Sequence, residues 1–406
     1  LSESKDVNGH GTHVAGIAAG NDGAFGGVAP AARIVCVKTD FLNTSVADGI
    51  RFIFAEADRL KLPAVVNLSL GGHHDAHDGS DDLSALIAEL SGPGRVVVAA
   101  AGNEGTDDIH AAVEVPAGQT KEIMLRVPLI IDLFSAPWVR LNGWYSGGAC
   151  EISIQTSSGD DTPFQAVIDG PNPTNTFDFS DAVVRVTTPP ASVNVNNDHS
   201  FLVELEPVPP AARVQGGTWR LRIRNVSSSS SRVDVWSIVP GRSRNAFFVV
   251  PFRSADMKIG TPGAANQAIT VGSFTSRNKW VDFSGHSQFV DFALDTISDF
   301  SSPGPLRNGF PKPDVTAPGA MIVSCFSRTS PVLPKDVVNN DFRVNFGTSM
   351  ACPYITGLVA LLLEGKPTLD PTAIKAMLRE SSSVPTLEPG AFHPSWGFGL
   401  IDAGLL

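Results

Sequence analysis

Three short runs constrain the fold of this chain most: Arg33-Ile34-Val35-Cys36-Val37-Lys38, Ala64-Val65-Val66-Asn67-Leu68-Ser69-Leu70 and Arg95-Val96-Val97-Val98-Ala99-Ala100. Each is β-branched and nearly continuous in its apolar character, so it reads as a strand buried on both faces, the situation created when helices cover a parallel sheet. Helical periodicity separates them. Val46, Ile50, Ile53, Phe54 and Ala57 recur at that spacing within residues 45 to 60, and a second helix is expected over about Asp82 to Leu90, before the turn Gly92-Pro93-Gly94. The alternation predicts an α/β fold, a mostly parallel sheet with helices on both faces. Ligands of such sheets bind at the carboxyl ends of the strands.

The texture changes between residues 107 and 245. Lys121-Glu122-Ile123-Met124-Leu125-Arg126-Val127, Glu151-Ile152-Ser153-Ile154-Gln155 and Thr218-Trp219-Arg220-Leu221-Arg222-Ile223-Arg224 alternate with period two, and Gly, Pro, Asn and Ser turns divide them. That pattern predicts an inserted antiparallel β-sandwich, with Ser227 to Ser231 as a flexible hairpin tip. Parallel-sheet texture returns at Gly260-Thr261-Pro262-Gly263 and Ala268-Ile269-Thr270-Val271-Gly272. A strand over Met321-Ile322-Val323-Ser324 follows, and Pro367, Asp370 and Pro371 open a last helix with Ile374, Met377 and Leu378 on its apolar face. The expected division is therefore 1–106 and 246–406 as two parts of one domain, with 107–245 inserted between them.

Several loops and helix starts carry chemistry. Phe346-Gly347-Thr348-Ser349-Met350-Ala351-Cys352-Pro353 runs into the apolar segment Gly357 to Leu363, which puts Ser349 at the start of a helix, where unpaired N–H groups and the dipole favour negative charge. Read alone, Ser349 is better explained as part of an ordinary capped core helix. Asp6-Val7-Asn8-Gly9-His10-Gly11-Thr12-His13 places His10 at the start of another helix, with His13 as a buried companion. Gly71-Gly72 follows the second strand and leaves room for an extended ligand backbone, while Asn103 sits in the turn Ala101-Gly102-Asn103-Glu104-Gly105 after the third. His73-His74-Asp75-Ala76-His77-Asp78 crowds metal-ligand residue types, but its spacing fixes no geometry and it reads as a solvated polar loop. No metal is assigned, and calcium held by aspartates stays open.

The formal net charge of -11, with no Lys/Arg-rich run, argues against nucleic-acid binding. No uninterrupted apolar run is long enough for a membrane span. Cys36, Cys150, Cys325 and Cys352 are widely spaced and read as buried thiols. The start Leu1-Ser2-Glu3-Ser4 lacks Met, so a targeting segment upstream is compatible with the sequence.

A serine and a histidine at two helix starts and an asparagine after a buried strand supply a nucleophile, a base and an oxyanion donor for acyl transfer. At these residues the sequence resembles the subtilisin-like serine proteases. The resemblance rests on His10-Gly11-Thr12-His13-Val14-Ala15-Gly16, Gly27-Val28-Ala29-Pro30, Asn67-Leu68-Ser69-Leu70-Gly71-Gly72, Ala100-Ala101-Gly102-Asn103-Glu104-Gly105, Lys312-Pro313-Asp314-Val315 and Gly347-Thr348-Ser349-Met350-Ala351. It implies a serine endopeptidase with His10 as general base, Ser349 as nucleophile and the Asn103 amide with the Ser349 N–H as oxyanion hole. It also implies Ser69, Leu70 and Gly71 as a substrate-binding strand and Glu104 at the floor of the main specificity pocket. Peptide or protein substrates, a propeptide of its own, and a secreted or cell-envelope location follow from the same resemblance. The β-rich insert resembles that of bacterial subtilases related to clostridial spore-germination proteases, where it is jelly-roll-like.

One part of that pattern is missing. The family's catalytic aspartate precedes the histidine on its own strand, and only nine residues precede His10 here. Asp6 is too near to face the imidazole from a separate strand, and Val167-Ile168-Asp169-Gly170 lies inside the insert and reads as a turn. Two readings stay open: a protease whose aspartate lies upstream, which would leave these 406 residues alone nearly inactive, or a pseudoprotease that binds peptides through the same cleft.

Overall fold

A computed structural model describes residues 5–128, 137–166, 174–188, 196–238, 246–385 and 387–406. The chain divides into two compact units, one comprising Leu1–Gly71, His77–Thr106 and Ile259–Leu406, the other Gly72–Ala76 and Asp107–Lys258.

The first unit is α/β. Its sheet runs in the order β1 (Ala64–Leu68), β2 (Arg95–Ala100), Ile269–Thr275, Val315–Pro318, Leu400–Ile401 and Ser382–Ser383, and all neighbours through Leu400–Ile401 are parallel. Thr296–Ile297 pairs antiparallel with Ile269–Thr275, and Ser382–Ser383 antiparallel with Leu400–Ile401, so the sheet is mixed at its margins. Among the described residues five α-helices accompany it: α1 (His10–Ala19), α2 (Asn43–Leu60), α3 (Asp82–Leu90), α4 (Thr348–Gly365) and α5 (Pro371–Glu380). The unbroken apolar run of β2 now has its reason. Val96, Val98 and Ala100 point to one face and pack with Ile355 and Val359 of α4 and Ile374 of α5, while Val97 and Ala99 point to the other and pack with Ile50 of α2 and Ile87 of α3.

Helix boundaries follow local chemistry. The Asp81 carboxylate accepts the N–H groups of Leu83 and Ser84 to cap α3, and Asp370 caps α5 by accepting from Ala373, with Pro371 in the first turn. α4 is long and apolar enough by composition to cross a membrane, but 61% of that stretch is buried inside the fold, as befits a core helix.

One expectation for this unit is corrected. Arg33–Lys38 forms no strand, and Ile34, Val35, Cys36 and Val37 are exposed. A strand exists only through a partner, and β1 is the terminal strand of its sheet, with no described neighbour on its outer side. The strand expected near Met321–Ser324 is present as Ile322–Cys325, paired antiparallel with Phe342–Asn345 outside the main sheet.

The second unit is built from two antiparallel sheets. Among the described residues one contains seven strands, with Val139–Gly147 between Ser231–Ile238 and His199–Glu206; the other contains five, with Gly217–Asn225 between Thr120–Val127 and Cys150–Gln155. Trp219, Leu221 and Ile223 share the buried face that the alternation predicts, in one core with Val113, Leu141, Val184, Val203 and Val235 of the other sheet. The unit extends to Lys258 because Phe247–Phe248 and Arg253–Ser254 pair within these sheets. The serine tract is not a hairpin tip. It joins Gly217–Asn225 in one sheet to Ser231–Ile238 in the other, and the Asn225 side chain pins it by donating to Ser229 O at 2.7 Å and accepting from the Ser227 N–H at 2.9 Å. Val167-Ile168-Asp169-Gly170 lies outside the described residues.

Candidate active site

α1 begins at His10 after a turn closed by Asp6. One Asp6 oxygen accepts the N–H groups of Gly9 (2.7 Å) and Asn8 (3.2 Å), and the other accepts the N–H (2.9 Å) and hydroxyl (2.7 Å) of Thr12. Partial burial opposes ionisation of Asp6, but these hydrogen bonds outweigh it and hold the carboxyl below its ordinary range. With both oxygens engaged in capping, Asp6 serves the helix start rather than an imidazole.

His13 fastens α1 to the hairpin. Its ring is wholly buried, Nε2 lies 3.2 Å from the Arg343 carbonyl, and the Ser324 hydroxyl donates to the His13 carbonyl at 2.8 Å. Gly16 allows the close approach, since a Cβ there would stand 2.4 Å from Ser324 Oγ. Burial, then the Arg343 charge, push the His13 imidazole down from 6.5 to about 3. The unfolded chain takes up this proton below pH 6.5, whereas the native one resists until about 3, so stability falls across that window as the pH drops. The loss amounts to about 5 kcal/mol at its limit. His13→Gln, which keeps a donor for the Arg343 carbonyl, is expected to flatten the limb between pH 6 and about 4 in urea-unfolding midpoints.

One turn beyond His10, on the same helix face, Val14 and then Ile17 pack on Met350, the residue after Ser349. This packing joins α1, one turn after His10, to the first turn of α4. Ser349 is half-buried in that first turn. The turn before it needs Gly347, whose φ of 139° a side chain would strain, and the Gly347 N–H donates to Gly319 O at 3.0 Å.

Asn103 approaches from the loop after β2. Its Oδ1 accepts the Thr348 N–H at 2.8 Å and the Thr348 hydroxyl at 3.1 Å. A backbone N–H can only donate, so the amide oxygen must face Thr348, which turns the amide NH₂ away from it. The loop is held from its other side by Glu104: Oε2 accepts the Asn103 N–H at 2.7 Å and the Ser302 hydroxyl at 2.9 Å, and Ser302 Oγ accepts the Glu104 N–H at 3.0 Å. At least one Glu104 oxygen is therefore committed to fixing Asn103.

Ser69, Leu70 and Gly71 continue from β1 towards the same helix start. The Ser69 hydroxyl donates to Ser349 O at 2.9 Å and the Ser349 hydroxyl to Ser69 O at 3.4 Å; Leu70 is half-buried against the α2/α3 core, and Gly71 is exposed. Cys352 does not line a cleft: it is fully buried, its thiol donates to Asn67 Oδ1, and burial pushes it up to about 12. The His73–Asp78 loop, expected to be solvated, instead buries His73, Asp75, His77 and Asp78. Backbone pairing explains part of this, since Arg307 N donates to His77 O and the Asn308 amide to Asp78 O. Among the described residues no group of three or more His, Cys, Asp or Glu could hold a metal ion.

The subtilase family (Peptidase_S8) matches residues 1–125 and 212–399. The chain belongs to this family. It is 35% identical over 127 residues to serine protease AprX of Bacillus subtilis (strain 168), a match covering 30% of this chain and 26% of the relative. With subtilisin-like protease SBT4.14 of Arabidopsis thaliana it shares 23% identity over 397 residues, 93% of this chain and 49% of the relative. It thus spans about half or less of these relatives' length. The solved structure of the Clostridium perfringens CspB protease superposes with a TM-score of 0.77 at 23% identity, covering 99% of this chain and 81% of that one, which establishes a common fold.

Proposed function

We propose that the chain is part of a serine endopeptidase that cleaves peptide bonds through an acyl-enzyme. His10 takes the proton of Ser349 as Oγ attacks the peptide carbonyl, and the Asn103 NH₂ with the Ser349 N–H receives the oxyanion; His10 then returns the proton to the departing amine. The observation that carries this reading is the Asn103 amide, whose oxygen is tied to Thr348, the residue before Ser349, so that its donor end is left for a ligand at the positive end of α4. The residues Ser69 to Gly71 offer backbone to an extended peptide, or to a propeptide. Glu104 contributes negative charge to the specificity pocket. The inserted β unit, proposed as a jelly-roll-like sandwich, recognises substrate or stabilises the enzyme.

The aspartate that orients His10 is proposed to lie upstream of Leu1, on a strand that pairs with the outer edge of β1. The terminal position of β1 and the unpaired, exposed Ile34, Val35 and Val37 support this placement.

A fluorophosphonate probe applied to the full-length protein tests the reading. An adduct on Ser349, absent from Ser349→Ala, is expected. A folded wild-type protein that forms no adduct but retains peptide would instead be a peptide-binding pseudoprotease, and hydrolysis of small esters without peptide cleavage would make it an esterase.

A further inference from the structure

α4 carries Pro353 four residues after Ser349, and proline has no N–H, so the helix cannot supply the usual partner for the Ser349 carbonyl. That acceptor lies on the nucleophile itself. The Ser69 hydroxyl takes the place of the missing donor at 2.9 Å, and Ser69 Oγ in turn accepts the Asn67 amide NH₂ at 3.0 Å. The Asn67 oxygen then returns to the helix, accepting the Thr356 hydroxyl at 2.9 Å and the Cys352 thiol at 3.2 Å.

Strand and helix periods explain why these groups meet. Asn67 and Ser69 are two apart and share one side of an extended chain, while Ser349, Cys352 and Thr356 recur at three and seven residues along one face of α4. The result is a closed relay from β1 to the nucleophile's own peptide group. Resting on the protease reading above, we propose that Ser69 and Asn67 are positioning residues: they replace the hydrogen bond that Pro353 removes and thereby fix the orientation of Ser349 for attack. This role is separate from any backbone pairing of residues 69 to 71 with substrate, because it runs through side chains and acts on Ser349.

The two roles separate kinetically. Weaker pairing with the substrate strand, felt equally in ground and transition states, raises KM, whereas misorientation of the nucleophile lowers kcat. In the full-length protein, Ser69→Ala is expected to lower kcat about tenfold, the size of one hydrogen bond, with KM within about twofold. Pro353→Ala restores an N–H able to reach the Ser349 carbonyl within the helix. In that background Ser69→Ala is expected to cost less than about threefold, and Ser69→Thr, which keeps the hydroxyl, to recover most of kcat in the wild-type background. Asn67→Ala, alone and with Pro353→Ala, gives the same cycle should Ser69→Ala fold poorly by thermal unfolding. Equal losses with and without Pro353, or a change confined to KM, would overturn the positioning role while leaving the protease reading intact. Absence of a fluorophosphonate adduct on the folded wild type would overturn both.

Discussion

Replacing Ser349 by Ala in the full-length protein is expected to lower kcat by about 10⁶, and replacing Asn103 by Asp to lower it by about 10² to 10³, with thermal stability nearly unchanged in both. The difference in size follows from what each group does. In the proposed mechanism Ser349 forms the covalent bond, so no other group substitutes for it. Asn103, as proposed, supplies one donor to an oxyanion that the Ser349 N–H also serves. Asp is the informative replacement, because its oxygen can still accept the Thr348 N–H now held by Asn103 Oδ1 at 2.8 Å, while the NH₂ becomes an oxygen that repels the oxyanion. Asn103→Ala would confuse the two roles by also leaving Thr348 without its acceptor. Steady-state kinetics on a peptide substrate, with melting temperatures as a control, check the outcome. Unchanged kcat in Asn103→Asp would remove Asn103 from the reaction.

The parts of the fold legible in the sequence are those whose physics is local. β2 announces itself as five consecutive apolar residues after Arg95, and α3 and α5 by Asp81 and Asp370 immediately before apolar periodicity. What eluded the sequence depends on partners far along the chain. Arg33–Lys38 has the composition of a strand, but composition does not provide a neighbour. The serine tract has the composition of a turn whether the strands it joins pair with each other or belong to different sheets. The polar loop at His73–Asp78 is buried through groups such as Arg307 and Asn308, more than two hundred positions away. At the candidate site, the residue types stand in the motifs, but the Ser69–Ser349 relay spans 280 positions. One local signal could have found it: Pro353, four residues after a serine at a helix start, leaves that serine's carbonyl without its helical donor.

The largest expected effect of a substitution on stability at pH 7 lies at Asp314. Lys312 is entirely buried, and its ammonium donates to Ala268 O at 2.6 Å, Thr270 Oγ1 at 2.9 Å and Asp314 Oδ2 at 2.6 Å. Lys375 reaches the other Asp314 oxygen at 3.2 Å, and the Thr270 N–H donates to Oδ2 at 2.7 Å. Burial works against the Asp314 charge, but the charges of Lys312 and Lys375 and the hydrogen bonds from Lys312 and Thr270 prevail and hold its carboxyl below the ordinary range. Its contribution is therefore complete above the usual carboxylate pKa and is lost only as the pH falls below it, a lower window than the one in which His13 begins to act. Asp314→Ala leaves the Lys312 ammonium buried without its counter-charge and should cost about 3 to 5 kcal/mol, read as a lowered urea midpoint at pH 7. Lys312→Met with Asp314→Leu removes both charges and should cost much less, because no unpaired ion remains in the core. The damage should also reach the site, since the strand after Asp314, Val315–Pro318, leads to Gly319, whose carbonyl holds the Gly347 N–H at the turn into α4. A double variant as unstable as Asp314→Ala alone would mean that packing at Asp314, rather than the uncompensated ammonium, accounts for the loss.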